Sequence, residues 1–180
     1  MHGMIFGQLK KYVNTKLGDG AWEKLLGAAG MTGRMYVPVR EYPDADVVQL
    51  VTTASRLTGA PAPAILEDFG AFLVPDLVAM YKPLIRPEWR TLDLIENTEA
   101  AIHKAVRATN PGATPPELKV TRLSPTELRL SYTSERKLCP VAKGIARGIA
   151  KEYGETLRVT ESSCMHQGAA SCEITFATAG

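Results

Sequence analysis

Tyr132-Thr133-Ser134-Glu135-Arg136 sets two hydroxyls and a guanidinium at alternate positions, and a strand through them would turn all three side chains to one face. Such a face can grip a carboxylate through charge-assisted, partly bidentate hydrogen bonds. Leu128 and Leu130 share this alternation, so Arg136 is expected to face the core, where a guanidinium needs an anionic partner. No acidic residue alternates with it, which leaves a ligand carboxylate as the economical partner. About thirty residues upstream stands His103, in a helical stretch that ends at Asn110-Pro111-Gly112-Ala113-Thr114-Pro115-Pro116. An imidazole together with a carboxylate clamp is the donor set that holds haem, with an axial ligand for iron and partners for the two propionates.

Cys139, Cys164 and Cys172 make a second constellation. A hairpin through the last two would bring Cys164 and Cys172 together, with His166 in the same loop, and Cys139 would enter from a helix start. Three thiols and one imidazole would close a tetrahedral zinc site. Without metal the same residues read as an oxidisable thiol cluster, or as buried apolar side chains. Cys139 at a helix N-terminus is expected to carry some thiolate character.

These residues need elements to position them. Ile5, Leu9, Tyr12, Val13 and Leu17 recur at helical spacing before Gly18, and a short helix follows through Trp22, Leu25 and Leu26. A third helix runs from Asp44 to Gly59, and Pro61-Ala62-Pro63 opens a fourth through Ile65, Leu66, Phe69, Phe72 and Leu73. Pro75, Pro83 and Pro87 are expected to break the next stretch into short pieces. A long helix is expected from about Leu92 to Thr109, carrying Ile102, His103 and Val106 on one apolar face with Leu92 and Ile95.

Beyond it the period changes to two. Leu118/Val120 and Leu128/Leu130/Tyr132, separated by Ser124-Pro125-Thr126-Glu127, predict an antiparallel hairpin. A helix from about Pro140 to Tyr153 has Val141, Ile145 and Ile149 as its apolar stripe, and two strands around residues 156–163 and 171–177 finish the chain. The expected class is α+β, with a helical lobe over about 1–65 and a four-stranded antiparallel sheet packed with helices over about 66–180 in a single domain.

Composition excludes several classes. A formal charge of +2 without a basic stripe argues against nucleic acid, and no apolar run reaches the roughly 20 residues of a membrane span. The first residues reach Lys10 and Lys11 too soon for a secretory signal, and an odd cysteine count points to a reducing compartment, so the cytoplasm is expected.

The chain resembles the H-NOX family, the haem nitric oxide/oxygen-binding domains of bacteria and of animal soluble guanylate cyclase. The resemblance spans the chain and rests on Met1, Gly3 and Ile5, on His103, on Gly112-Ala113-Thr114-Pro115-Pro116, and on Tyr132-x-Ser134-x-Arg136. It implies haem b, with His103 as proximal iron ligand and Tyr132, Ser134 and Arg136 as the propionate clamp. Pro116 matches the position that presses the porphyrin out of plane. The implied distal pocket is Ile5, Leu9, Leu77, Val141 and Ile145, all apolar, with Val141 where oxygen-binding members carry a tyrosine.

That pocket implies a sensor of NO that also binds CO, in which NO weakens the bond to His103 and frees its helix. The pocket lacks the distal His or Arg of haem enzymes, so a binding module rather than an enzyme is expected. With no output domain in its 180 residues, it is expected to dock on a histidine kinase or a cyclic-di-GMP enzyme (diguanylate cyclase or phosphodiesterase). Some bacterial relatives bind zinc through three cysteines and a histidine at the position that here is Glu161, so the fourth ligand stays open between His166 and Glu161. The alternative function is a zinc or thiol redox sensor in which the cysteine cluster carries the signal.

Overall fold

Alternating burial builds the sheet. Leu128, Leu130 and Tyr132 stand opposite Phe176, Ile174 and Cys172 on the neighbouring strand, and all six are buried, whereas of the residues between them Arg129 is exposed and Ser131 half-buried. The computed structural model describes residues 1–110 and 112–179; Pro111, which the sequence assigns to the turn after the histidine helix, and Gly180 lie outside the described residues. The strands are β1 Glu117–Ser124, β2 Glu127–Thr133, β3 Leu157–Ser163 and β4 Cys172–Thr178, all antiparallel in the order β1-β2-β4-β3. The α+β class with a four-stranded antiparallel sheet is the observed one.

The chain divides into two compact units, Met1–Phe69 and Gly70–Gly180. In the first, helices α1 Gly3–Leu17, α2 Ala21–Ala28 and α3 Asp44–Thr58 bury Phe6, Trp22, Leu25 and Leu50, and Phe6 stacks on Tyr36 at 3.9 Å. An apolar cavity of about 350 Å³ opens among them, lined in part by Leu9, Val13, Leu25, Leu50 and Ile65. No helix among the described residues is long and apolar enough to cross a membrane.

Helix α4, Ala62–Tyr81, runs from the first unit into the second. Here the structure departs from the expected break at Pro75: the proline sits inside a continuous 20-residue helix. Proline costs one backbone hydrogen bond and clashes with the preceding turn. Burial of Leu73 and Val74 beside it offsets that loss, and Pro75 itself is exposed.

In the second unit, α5 Thr91–Asn97 is the fixed point. Arg122 of β1 donates to Asp93 at 2.8 Å and to Glu96 at 2.6 Å, while Glu155 accepts from Arg90 Nε at 3.0 Å and from the Thr91 amide at 3.1 Å. These ties hold α5 on the sheet and on the end of α7, Cys139–Glu152.

The expected long helix is in fact three pieces: α5, a π-helical segment Thr98–His103, and α6 Lys104–Thr109. Asn97 and Thr98 mark the change, bonding back to the carbonyls of Asp93 at 2.8 Å and Leu94 at 2.7 Å. The wider turn alters the helical phase. Leu92 and Ile95 are therefore buried, but no residue of the π segment or of α6 is.

Two glycines let α4 and α7 meet backbone to backbone. A methyl group at Gly70 would overlap the Val141 carbonyl oxygen, and one at Gly148 would overlap Val74 and the Ala71 carbonyl. Gly70→Ala is expected to destabilise the fold by about 1–3 kcal/mol, the usual cost of overpacking a close contact, as read by chemical denaturation.

Candidate functional site

His103 ends the π segment, with its side chain 14% exposed. Its Nδ1 lies 2.8 Å from Glu99 Oε2, and the other oxygen of that carboxylate accepts from Arg107. Against a carboxylate, Nδ1 is the protonated nitrogen, which leaves the Nε2 lone pair for a metal. Among the described residues Nε2 has no hydrogen-bond partner. Burial alone would push the Glu99 carboxyl up, but the bonds from Arg107 and His103 outweigh it and hold it below the usual carboxylate range. Glu99 escapes a reading of the histidine alone, although its signal lies in the sequence: Glu99, His103 and Arg107 recur every fourth residue.

The clamp residues are arranged differently from the expected strand face. Strand β2 ends at Thr133, and Ser134 to Lys137 form a turn closed by the Lys137 amide donating to the Ser134 carbonyl at 3.0 Å. Tyr132 is 2% exposed, and its phenol is pushed up by burial, an effect opposed by its hydrogen bond with Ser134. Arg136 is not core-directed. It reaches from the turn to Thr114, donating to the carbonyl at 2.6 Å and to Oγ1 at 2.9 Å. The alternation argument fails because pairing with both neighbours, which enforces it, stops at Tyr132.

Arg136 thereby ties the turn after β2 to the segment leading to Pro116, which is half-buried directly before β1. Val141 and Ile145 lie on α7 and Leu77 on α4, all half-buried, on the helix pair closed by Gly70 and Gly148. In the first unit α1 carries Ile5, half-buried, and Leu9, buried and lining the apolar cavity.

The cysteines converge. Cys164 Sγ lies 3.8 Å from Cys139 Sγ and 3.8 Å from Cys172 Sγ, and a Glu161 oxygen completes a group whose ligand atoms all fall within 4.8 Å. An irregularity in β3 between Glu161 and Ser163 shifts the register there. Glu161 also pairs with Lys143 of α7 at 3.1 Å. His166, weighed as the fourth ligand, stands outside this group, its Nε2 bonded to the Lys137 carbonyl at 2.7 Å. The expected thiolate character of Cys139 is also reversed. Burial first, then the neighbouring thiols, push it well above the usual thiol range. At Cys172 burial again dominates, partly opposed by the Met165 amide donating to Sγ at 3.2 Å.

With this geometry in view, the comparisons decide the family. The Haem-NO-binding family matches residues 2–161. The chain belongs to that family. It is an H-NOX domain, of the family of haem-based gas sensors.

Among curated relatives, soluble guanylate cyclase gcy-31 of Caenorhabditis elegans is 24% identical over 163 residues, which is 89% of this chain and 23% of that protein. Soluble guanylate cyclase gcy-35 of the same organism is 26% identical over 163 residues, 87% of this chain and 23% of its own length. The H-NOX domain thus spans under a quarter of these relatives.

Among solved structures, the fold matches an H-NOX protein from S. oneidensis in the Fe(II)NO state with a TM-score of 0.92 at 24% identity, over 100% of both chains. It also matches the SO2144 H-NOX domain of Shewanella oneidensis in the Fe(II)CO state with a TM-score of 0.88 at 24% identity, over 100% of this chain and 99% of that one.

The residues of this chain fit haem on their own chemistry. An imidazole whose Nδ1 is held by a carboxylate, with Nε2 open, has the form of a metal-ligating histidine with its outer-shell partner in place.

Proposed function

We propose that this H-NOX domain is a nitric oxide sensor in which His103 is the iron ligand of haem b, and that it regulates a separate signalling protein. The observation that carries the reading is His103 itself, half-buried at the end of a π segment with Nδ1 engaged and Nε2 open. Haem supplies the iron centre that binds NO or CO. Tyr132, Ser134 and Arg136 hold the propionates, Arg136 exchanging or sharing its bonds to Thr114. Pro116 would press on the macrocycle, and the residues proposed for the gas side, Ile5, Leu9, Leu77, Val141 and Ile145, would each offer an apolar wall.

The wall sets ligand choice. Bound O₂ is polarised and gains from a hydrogen-bond donor, which none of these five side chains provides. NO and CO need no such donor. Signal output follows from the contrast along the histidine helix: α5 is anchored by Arg122 and Glu155, whereas nothing from Thr98 to Thr109 is buried. His103 would hold the iron, and if NO weakened that hold, the segment after α5, which buries no residue, would be the part of the chain able to shift. The partner, a histidine kinase or a cyclic-di-GMP enzyme, responds only if it binds the two states with different affinity.

The sulfur geometry favours a second activity alongside the first. Ligands 2.3 Å from a tetrahedral zinc stand about 3.8 Å apart, the spacing of the Cys164 sulfur from Cys139 and Cys172. We assign zinc to Cys139, Cys164 and Cys172, with Glu161 as fourth ligand. Metal binding would reverse the raised thiol values by stabilising the thiolates, and oxidation would release the metal, so this site can report redox state.

His103→Gly is expected to abolish stable haem binding, or to leave a protein that takes up haem only with added imidazole, as followed by the Soret band. Normal haem retention with an unchanged ferrous spectrum would defeat the assignment. The ferrous protein is expected to bind NO and CO but to form no lasting oxy complex in air, and Val141→Tyr is expected to gain one, read by absorption spectroscopy. Metal analysis is expected to find about one zinc per chain, lost in Cys172→Ala.

A further inference from the structure

One charged group meets the imidazole from its own helical stretch, and a second holds that group from its far side. Glu99 Oε2 lies 2.8 Å from His103 Nδ1, and Glu99 Oε1 accepts from Arg107 Nη2. The Glu99 and His103 side chains are 29% and 14% exposed, which shields the contact more than an open surface pair would be. We propose that Glu99 is a positioning residue that strengthens the bond from His103 to iron, and that Arg107 acts as its counterweight. This rests on the reading of His103 as the iron ligand and goes beyond it, by naming what sets the strength of that ligand.

The chemistry follows from the two contacts. A carboxylate on Nδ1 fixes the tautomer, orients the ring, and draws the Nδ1 proton toward itself. Negative charge then accumulates on the ring, and Nε2 becomes a stronger electron donor than an imidazole bonded to water or to a neutral carbonyl. Arg107 binds the other oxygen of the same carboxylate and draws charge away from the ring. Donor strength is therefore set by the difference between the pull of Glu99 on the proton and the pull of Arg107 on Glu99.

The trio follows one helical row at four-residue steps. The π segment carries both Glu99 and His103, and Arg107 follows on α6. For a sensor that signals by losing His103, a stronger bond raises the threshold for release. Glu99 and Arg107 would then tune the response without touching the gas.

A purely structural role, in which the trio only staples the π segment to α6, makes a different prediction. The test uses the haem-loaded protein and compares Glu99→Gln with Arg107→Ala. The readouts are the iron–imidazole stretching frequency by resonance Raman and the ferric/ferrous midpoint potential. Glu99→Gln keeps the shape and an acceptor but removes the charge. It is expected to lower the frequency and raise the potential. Arg107→Ala frees the carboxylate and is expected to move both readouts the opposite way.

Glu99→Ala, which removes the partner altogether, is expected to weaken haem retention about 10-fold, the lower end of the cost of losing an outer-shell partner. Unchanged readouts, or shifts in the same direction for both substitutions, would overturn the proposal. If Glu99→Gln does not fold, the direction of the Arg107→Ala shift decides alone. Failure of the ligand assignment is a separate result, seen as unaltered haem binding and spectra in His103→Gly.

Discussion

The pairing of β2 with a neighbour on each side is the constraint on which the second unit depends. Tyr132 stands opposite Leu118 on β1 and Cys172 on β4, so one buried residue sits between the hairpin that leads to Pro116 and the strand that carries a cysteine. Where double pairing ends, the chain leaves the sheet in a tight turn and immediately enters α7. Because that exit point is fixed, Arg136, Cys139 and the start of α7 are fixed with it. The turn is stitched from both sides, by Arg136 to Thr114 and by the Lys137 carbonyl to His166.

The proposed clamp residues and the sulfur cluster are thus neighbours in the chain and in the sheet. Cys139 lies three residues past Arg136, and Tyr132 pairs with Cys172. A cluster that tightens or opens acts on the same short turn that presents Arg136. The proposed gas-ligation and thiol–metal sites would therefore share a piece of backbone.

Balance between a rigid base and a loosely held segment runs through the histidine helix. Ion pairs from Arg122 and Glu155 hold α5 to the sheet and to the end of α7, while the π segment and α6 bury no residue. Burial is therefore uneven along this stretch of helix, complete at Leu92 and Ile95, partial at Ile102 and His103, and least toward the end of α6. An element of this kind can shift without unfolding what anchors it.

Much of this was legible from residue types and spacing. The alternation of Leu128, Leu130 and Tyr132 sufficed for the hairpin, the proline and glycine punctuation bounded most helices, and His103 with Tyr132-x-Ser134-x-Arg136 carried the family. Three features were not legible, each for a physical reason. The π segment leaves no trace in hydrophobic periodicity, and the Asn97 and Thr98 side chains that bond back to carbonyls at its start do so through local hydrogen bonds that spacing does not record. The helix through Pro75 survives because of burial around it, and burial is a property of the folded chain. Which of His166 and Glu161 lies near the sulfurs depends on where the loop after β3 turns, since only folding sends His166 to the Lys137 carbonyl and leaves Glu161 beside them. Sequence determined which groups are available and in what order along the chain, because local propensity and alternation are written in neighbours. Tertiary structure decided which of those groups meet, because contact between residues far apart depends on register and turn direction rather than on spacing.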